Sequence, residues 1–251
     1  MNRGATNTLV VRVDATDFEG WWYEGAGIYR HVWLEVVPQV HIANWGVYVV
    51  PTFPNPSDLS KSIVKIQTNI SNRERLNLPV EIVSTILNTQ DKEIGKTVSK
   101  AKISKCNPCI EQKIQVEKPL LWSVDTPNLY VLRTELKING NCVDRVDTRF
   151  GFRHIRFDPE KGFCLNNKPL KLQGTCNHQD HGGVGIAVPD ALHEYRIKQL
   201  KAMGCNAYRC AHNPPAPAFL DACDKLGMLV MDETRKMEST ADGFRQLAAM
   251  I

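Results

Sequence analysis

The chain has 251 residues, 43% of them apolar and 23% charged, with a net charge of +4 at pH 7. That composition suits a folded globular protein and leaves room for more than one domain. The positive balance is not gathered into a basic run, and no apolar stretch approaches the ~18–20 residues of a membrane span, so no nucleic acid and no membrane is expected as a partner.

Residues 1–52 read as strands. Leu9–Val13, Ile28–Val37 and His41–Val50 are rich in β-branched and aromatic residues. Between the first two, Trp21-Trp22-Tyr23 stands beside Gly25 and Gly27, a pattern for a tight turn. Its rings either pack in a core or offer flat apolar faces to a sugar. Three such strands do not make a stable domain alone, so this stretch is expected to be the end of a larger β-domain. Pro51, Pro54 and Pro56 then mark a domain boundary.

Residues 60–152 alternate with period two. Val64, Ile66 and Ile70 share one face while Lys65, Gln67 and Asn69 share the other; Tyr130, Leu132, Leu136 and Ile138 oppose Arg133, Glu135 and Lys137 in the same way. Asn139-Gly140 is a strong two-residue hairpin signal. About seven strands over this length fit an immunoglobulin-like sandwich.

From about residue 163 the period changes. Lys168–Cys176 reads as a strand. A helix opens at Pro189-Asp190, with Asp190 a candidate N-cap, and stops at Gly204. Asn206–Ala211 is a second strand, Ala218–Leu226 a second helix stopped by Gly227, Met228–Asp232 a third strand, and 241–251 the start of another helix. Strands alternating with helices imply a parallel sheet with right-handed crossovers. A (β/α)8 barrel takes eight such units, so residues 158–251 hold either a small open sheet or the first third of a barrel.

The eight cysteines are spread too widely for a disulfide scaffold and read as free, mostly buried thiols. Cys106-Asn-Pro-Cys109 has no second pair for a zinc site and is expected to be a surface turn.

Polar residues gather where the α/β strands end, and in parallel folds ligands bind at those ends. The first strand runs into Asn177, His178, Asp180 and His181, a set that suits a ligand covered in hydroxyls. A metal held by His-x-Asp-His and simple loop packing are the other readings. The second strand carries Arg209, which needs a carboxylate partner. A catalytic carboxylate there would be kept ionised, whereas a structural one would make only an ion pair. His212 follows, held by the stiff Asn213-Pro214-Pro215 turn, as a ligand contact or a capping histidine. The third strand ends in Asp232-Glu233.

Together these residues resemble glycoside hydrolase family 2. The family signature, Asn-x-x-Arg, two small residues, His-x-Pro, a helix, Asp-x-x-Gly and an apolar strand, stands here as Asn206, Arg209, Cys210-Ala211, His212, Pro214, Asp224, Gly227 and Met228–Met231. Asn213 replaces the usual tyrosine. GAGIYRHVWLEV (25–36) is similar to the last strands of the family's jelly-roll domain, and 121–136 with 149–158 to the end of its immunoglobulin-like domain. Residues 162–181 are similar to its entry into the barrel. The resemblance therefore implies a jelly-roll end at 1–52, an immunoglobulin-like sandwich at 53–157 and the start of a TIM barrel at 158–251.

NHQDH, AHNPP and MDETR are most similar to bacterial β-galactosidases, and β-glucuronidases and β-mannosidases share the scaffold. A non-catalytic carbohydrate-binding module is a further alternative. The resemblance implies a retaining glycosidase with a β-galactoside substrate; the compartment, bacterial cytoplasm or periplasm, and homo-oligomerisation of the whole protein are left open. It implies His178, Asp180, His181, His212, Asn213 and Glu233 as substrate-binding residues and Arg209 as the residue that orients the nucleophile. The family's acid/base glutamate lies in an Asn-Glu pair after the fourth barrel strand, and this sequence has no Asn-Glu pair, so both catalytic glutamates are expected beyond Ile251. Some members bind magnesium through Glu-x-His after the third strand. Lys236-Met237-Glu238-Ser239 does not keep that pattern, so no cofactor is expected.

Overall fold

The structure, a computed structural model, describes residues 4–14, 27–233 and 245. Seven strands form a two-sheet sandwich: β1 (Val40–Thr52), β2 (Lys61–Asn72), β3 (Leu78–Leu87), β4 (Glu93–Ile103), β5 (Cys109–Glu117), β6 (Tyr130–Ile138) and β7 (Asn141–Phe150). One antiparallel sheet runs β1-β2-β5 and the other β4-β3-β6-β7. The alternation expected for β2 and β6 is realised: Val64, Ile66, Ile70, Tyr130, Leu132 and Leu136 are all buried between the sheets. Asn139 and Gly140 both have positive φ, +50° and +81°, as a primed two-residue turn requires. The two sheets also share a buried polar link. Ser84 on β3 donates to Gln112 Oε1 on β5 (2.7 Å), and Gln112 Nε2 donates to the Ile82 carbonyl (3.1 Å), so neither end of the Gln112 amide is stranded in the apolar core. The edge strand β4 turns Lys96, Lys100 and Lys102 to solvent, which discourages pairing with another chain.

Three expectations are corrected here. β1 is not the end of a separate domain. It pairs with β2 from Val40↔Asn72 to Thr52↔Ile63 and puts Val40 and Ile42 into the sandwich core, so the sandwich begins before the boundary placed at 52/53. The proline-rich stretch after β1 is a loop within the sandwich. Leu9–Val13 and Ile28–Val37 form no strands, because no ladder partner lies beside them among the described residues; their side chains are mostly exposed. The aromatic run 21–23 lies outside the described residues, as does the helix expected at 241–251 apart from residue 245. The cysteine expectation holds for the free thiols but not for their burial, since only Cys164, Cys210 and Cys223 are buried. All eight are free, and Cys106–Cys109 forms a turn whose carbonyls at Cys106 and Pro108 accept from Asn72 and Ile70.

A small antiparallel sheet, β8 (Ile155–Asp158), β9 (Gly162–Leu165) and β10 (Lys168–Pro169), leads into the α/β unit. That unit holds β11 (Gly174–Asn177), α1 (Asp190–Ala202), β12 (Ala207–Cys210), α2 (Pro217–Leu226) and β13 (Leu229–Met231), its strands parallel in the order β11-β12-β13. The single strand expected over 168–176 is therefore two. The backbone between them is tied to Asn206, whose side chain accepts from Gln173 N–H (2.9 Å) and donates to the Lys171 carbonyl (3.0 Å). At Gly174 a Cβ would sit 1.9 Å from the Ala207 carbonyl oxygen, so only glycine lets β11 approach β12 there. Asp190 is not the N-cap of α1. Pro189 holds that place in an extended conformation, and Asp190 lies in the first turn, where negative charge is favoured.

Both helices cover one face of the parallel sheet: Tyr208 and Cys210 pack with Ile197, Phe219, Ala222, Cys223 and Met228. The sandwich braces the opposite face near its lower end, where Trp122, Val124, Leu165 and Leu229 form a shared core. Trp122 Nε1 donates to the Asp224 carbonyl (2.9 Å), and Lys201 Nζ donates to the carbonyls of Val124 (2.6 Å) and Gly227 (3.0 Å). Gly227 ends α2 at φ +75°, with Val124 so close that a Cβ would meet its carbonyl oxygen at 2.3 Å. Trp122 is the largest side chain at this junction, and we expect Trp122→Ala to cost about 3–5 kcal/mol in denaturant unfolding. Leu120→Ala, at an exposed position, should stay within about 0.5 kcal/mol of the parent.

Candidate functional site

The in-register pairs of the parallel sheet set the site. Cys176, Arg209 and Met231 lie in one row across β11, β12 and β13, on the face away from the helices. Arg209 is therefore not buried in the helix-side core; its side chain is 40% exposed. Its carboxylate partner is Glu233, two residues past β13: Arg209 Nη2 lies 2.7 Å from Glu233 Oε2. The other carboxylate oxygen, Oε1, is 2.5 Å from His212 Nδ1. Arg209 Nη1 also reaches the Cys176 sulfur at 3.5 Å. One carboxylate thus ties the ends of β12 and β13 together.

His178, just past β11, completes the group. Its ring centroid is 5.5 Å from that of His212, edge to face at 78°. Asp180 and His181 stand on the adjoining loop, and Asn213 follows His212. The loop is closed on itself by hydrogen bonds between His181 and Gly185. It is gripped by Arg196 of α1, whose guanidinium donates to the carbonyls of His178 and Asp180, both at 3.1 Å. Asn177 folds back onto Thr175 Oγ1 at 2.7 Å.

Electrostatics separates what this group can do from what it cannot. The His212 hydrogen bond, with the nearby Arg209 charge, holds the Glu233 carboxyl below the ordinary glutamate value. Glu233 is then ionised at neutral pH and is a poor proton donor, and both its oxygens are occupied by cationic or N–H groups. Through these two contacts it fixes Arg209 and His212 relative to each other. Bonds to Cys176 and the Glu233 charge raise the Arg209 guanidinium further above its already high value. With Nδ1 turned to Glu233, a neutral His212 carries its proton there and presents Nε2 as an acceptor. Cys210 is no nucleophile: burial pushes its thiol up to about 12. Among the described residues no three His, Cys, Asp or Glu side chains converge closely enough to hold a metal ion. The stretch 236–239 lies outside the described residues.

Four contributors escaped the sequence reading. Arg196 was legible only as a polar position between the buried His193 and Ile197 on α1. Gln179, Arg30 and His31 matter through contacts with distant segments, and no local pattern marks them.

A family model described as "Glycosyl hydrolases family 2" matches residues 40–153, and one described as "Glycosyl hydrolases family 2, TIM barrel domain" matches 158–247. The chain is 39% identical over 233 residues to a β-galactosidase of Bacteroides ovatus, covering 92% of this chain and 27% of that protein. It is 31% identical to a β-glucuronidase of Bacteroides fragilis, covering 92% of this chain and 34% of that protein. A solved glycosyl hydrolase family 2 member from Bacteroides cellulosilyticus superposes with a TM-score of 0.83 at 35% identity, over 88% of this chain and 30% of that one. The chain thus spans about a quarter to a third of the length of these relatives.

The bridge across Glu233 makes a titration prediction. A carboxyl depressed in the folded state contributes stability that is full above its ordinary value of 4.5 and is lost as pH falls through the lower folded value. In chain labelled with 13C at glutamate, we expect the Glu233 carboxyl to titrate below 4.5 and to move back up in His212→Ala. A midpoint that ignores His212→Ala would contradict the bridge.

Proposed function

This chain belongs to glycosyl hydrolases family 2, and from that premise we propose that the protein is a retaining glycosidase acting on terminal β-galactosides. The carrying observation is the convergence of His178, Arg209 and His212 at the carboxyl ends of two adjacent parallel strands, with Glu233 from the end of the third fixing two of them. Polar groups fixed in advance on a barrel rim suit a hydroxyl-covered ligand. In this reading His178 and His212 contact sugar hydroxyls, with Asp180, His181 and Asn213 beside them, and Arg209 faces the nucleophile.

Retention needs two carboxyl groups about 5–5.5 Å apart, one as nucleophile and one as acid/base. Glu233 does not supply either role, because its oxygens are engaged and its proton affinity is low. The sequence also has no Asn-Glu pair. We place both reacting carboxyls in polypeptide outside these 251 residues, in keeping with the fraction of its relatives' length that the chain spans. The β-galactosidase among its relatives supports the neutral sugar, as does the neutralisation of Arg209 by Glu233, which leaves that guanidinium a weak partner for a sugar carboxylate. A β-glucuronide is the second reading, favoured by the Bacteroides fragilis relative.

The test starts with the coding sequence downstream of Ile251, where the frame should continue into an Asn-Glu pair. Protein made from that longer frame should hydrolyse an aryl β-galactoside well ahead of the matching β-glucuronide, while the 251-residue chain shows no turnover. Substituting His212→Ala in the longer protein should lower kcat roughly a hundred-fold, the scale of losing one fixed transition-state contact. Turnover by the 251 residues alone would refute the assignment of the carboxyls, and cleavage of the glucuronide only would refute the sugar.

A further inference from the structure

The segment that precedes the sandwich reaches across to the rim. Residues 27–37 run without a strand partner among the described residues, and Trp33 is 77% exposed, yet two consecutive side chains are committed to the α/β unit. His31 Nε2 lies 3.0 and 3.1 Å from the two Asp190 carboxylate oxygens at the start of α1. Arg30 Nη2 donates to Gln179 Oε1 at 3.2 Å and to the Pro214 carbonyl at 2.6 Å. Gln179 adjoins His178, and Pro214 follows His212 by two residues. A single guanidinium nitrogen therefore bridges the two loops that carry the facing histidines.

We infer that Arg30 is a positioning residue that sets the separation and angle of His178 and His212. The inference builds on the functional reading above, since those two rings matter there as sugar contacts. The physical case is the direction of the restraints. Arg196 holds the His178 loop by its backbone from the helix side, and Glu233 holds His212 through its ring from the third strand. Neither joins the first loop to the second. Arg30 does, and a charge-assisted bond to a carbonyl is among the stronger hydrogen bonds available to a half-exposed loop. The chain segment that carries Arg30 is held in place independently by His31 and Asp190, so the arginine works from an anchored base. Tyr29 lies 5.3 Å from the Arg30 guanidinium and limits its swing.

The test reads the ring pair directly, so it is independent of whether the protein cleaves a galactoside. In the full 251-residue chain with labelled histidines, the ring protons of His178 and His212 should give a nuclear Overhauser cross-peak. Arg30→Met, which keeps length and removes the donor, should abolish it with no change in the thermal midpoint. Arg30→Lys, whose ammonium still offers donors, should restore most of it. His31→Ala, which releases the base that Arg30 works from, should weaken it. Gln179→Ala, which removes one of the two acceptors, should weaken it and serves as the second variant if Arg30→Met folds poorly. A cross-peak of parental intensity in folded Arg30→Met, or in folded Gln179→Ala should that one be needed, would overturn the inference.

Discussion

A single carboxylate organises this rim. Glu233 sits just past the third parallel strand and divides its two oxygens between Arg209, inside the second strand, and His212, just past that strand's end. An arginine on the open face of a sheet needs an anion to hold it. A histidine meant to offer one defined nitrogen needs a partner on the other. One side chain meets both demands, and in doing so it gives up any direct chemistry of its own.

That arrangement depends on strand register, and register depends on packing some distance away. Arg209 faces the open side only because Tyr208 and Cys210 are claimed by the two helices. β11 lies close enough to β12 for Cys176 to meet Arg209 because Gly174 has no side chain. The lower end of the sheet is fixed by the core it shares with the sandwich around Trp122, with Lys201 tying a sandwich carbonyl to the end of α2. The sandwich carries none of the rim residues, yet it sets the orientation of the strands that do.

The parts legible in the sequence were those with a local period. β2 and β6 showed their buried faces because one side of each strand meets the other sheet. The Asn139-Gly140 turn was legible because a primed turn demands residues that tolerate positive φ. The two helices were marked by Gly227 at the end of one and by Pro189-Asp190 and Gly204 at the limits of the other. What was not legible depended on partners. β1 has the composition of a strand, but nothing in that composition says which sheet receives it, and it was placed in the wrong domain. The sequence showed that Arg209 needs a carboxylate without showing which one. Glu233 lies 21 residues from His212, across a complete helix, and only the crossover brings them together. Arg30 was hidden in the same way, in a run whose apolar residues suggested a strand.

The most direct measurement of the central arrangement is the tautomer of His212. Long-range proton–nitrogen correlation on histidine-labelled chain at neutral pH reports which ring nitrogen is protonated. A bond from His212 to Glu233 requires the proton on Nδ1. A His212 ring with Nδ1 bare and its proton on Nε2 would show that the carboxylate does not hold it, and the account of this rim would fail.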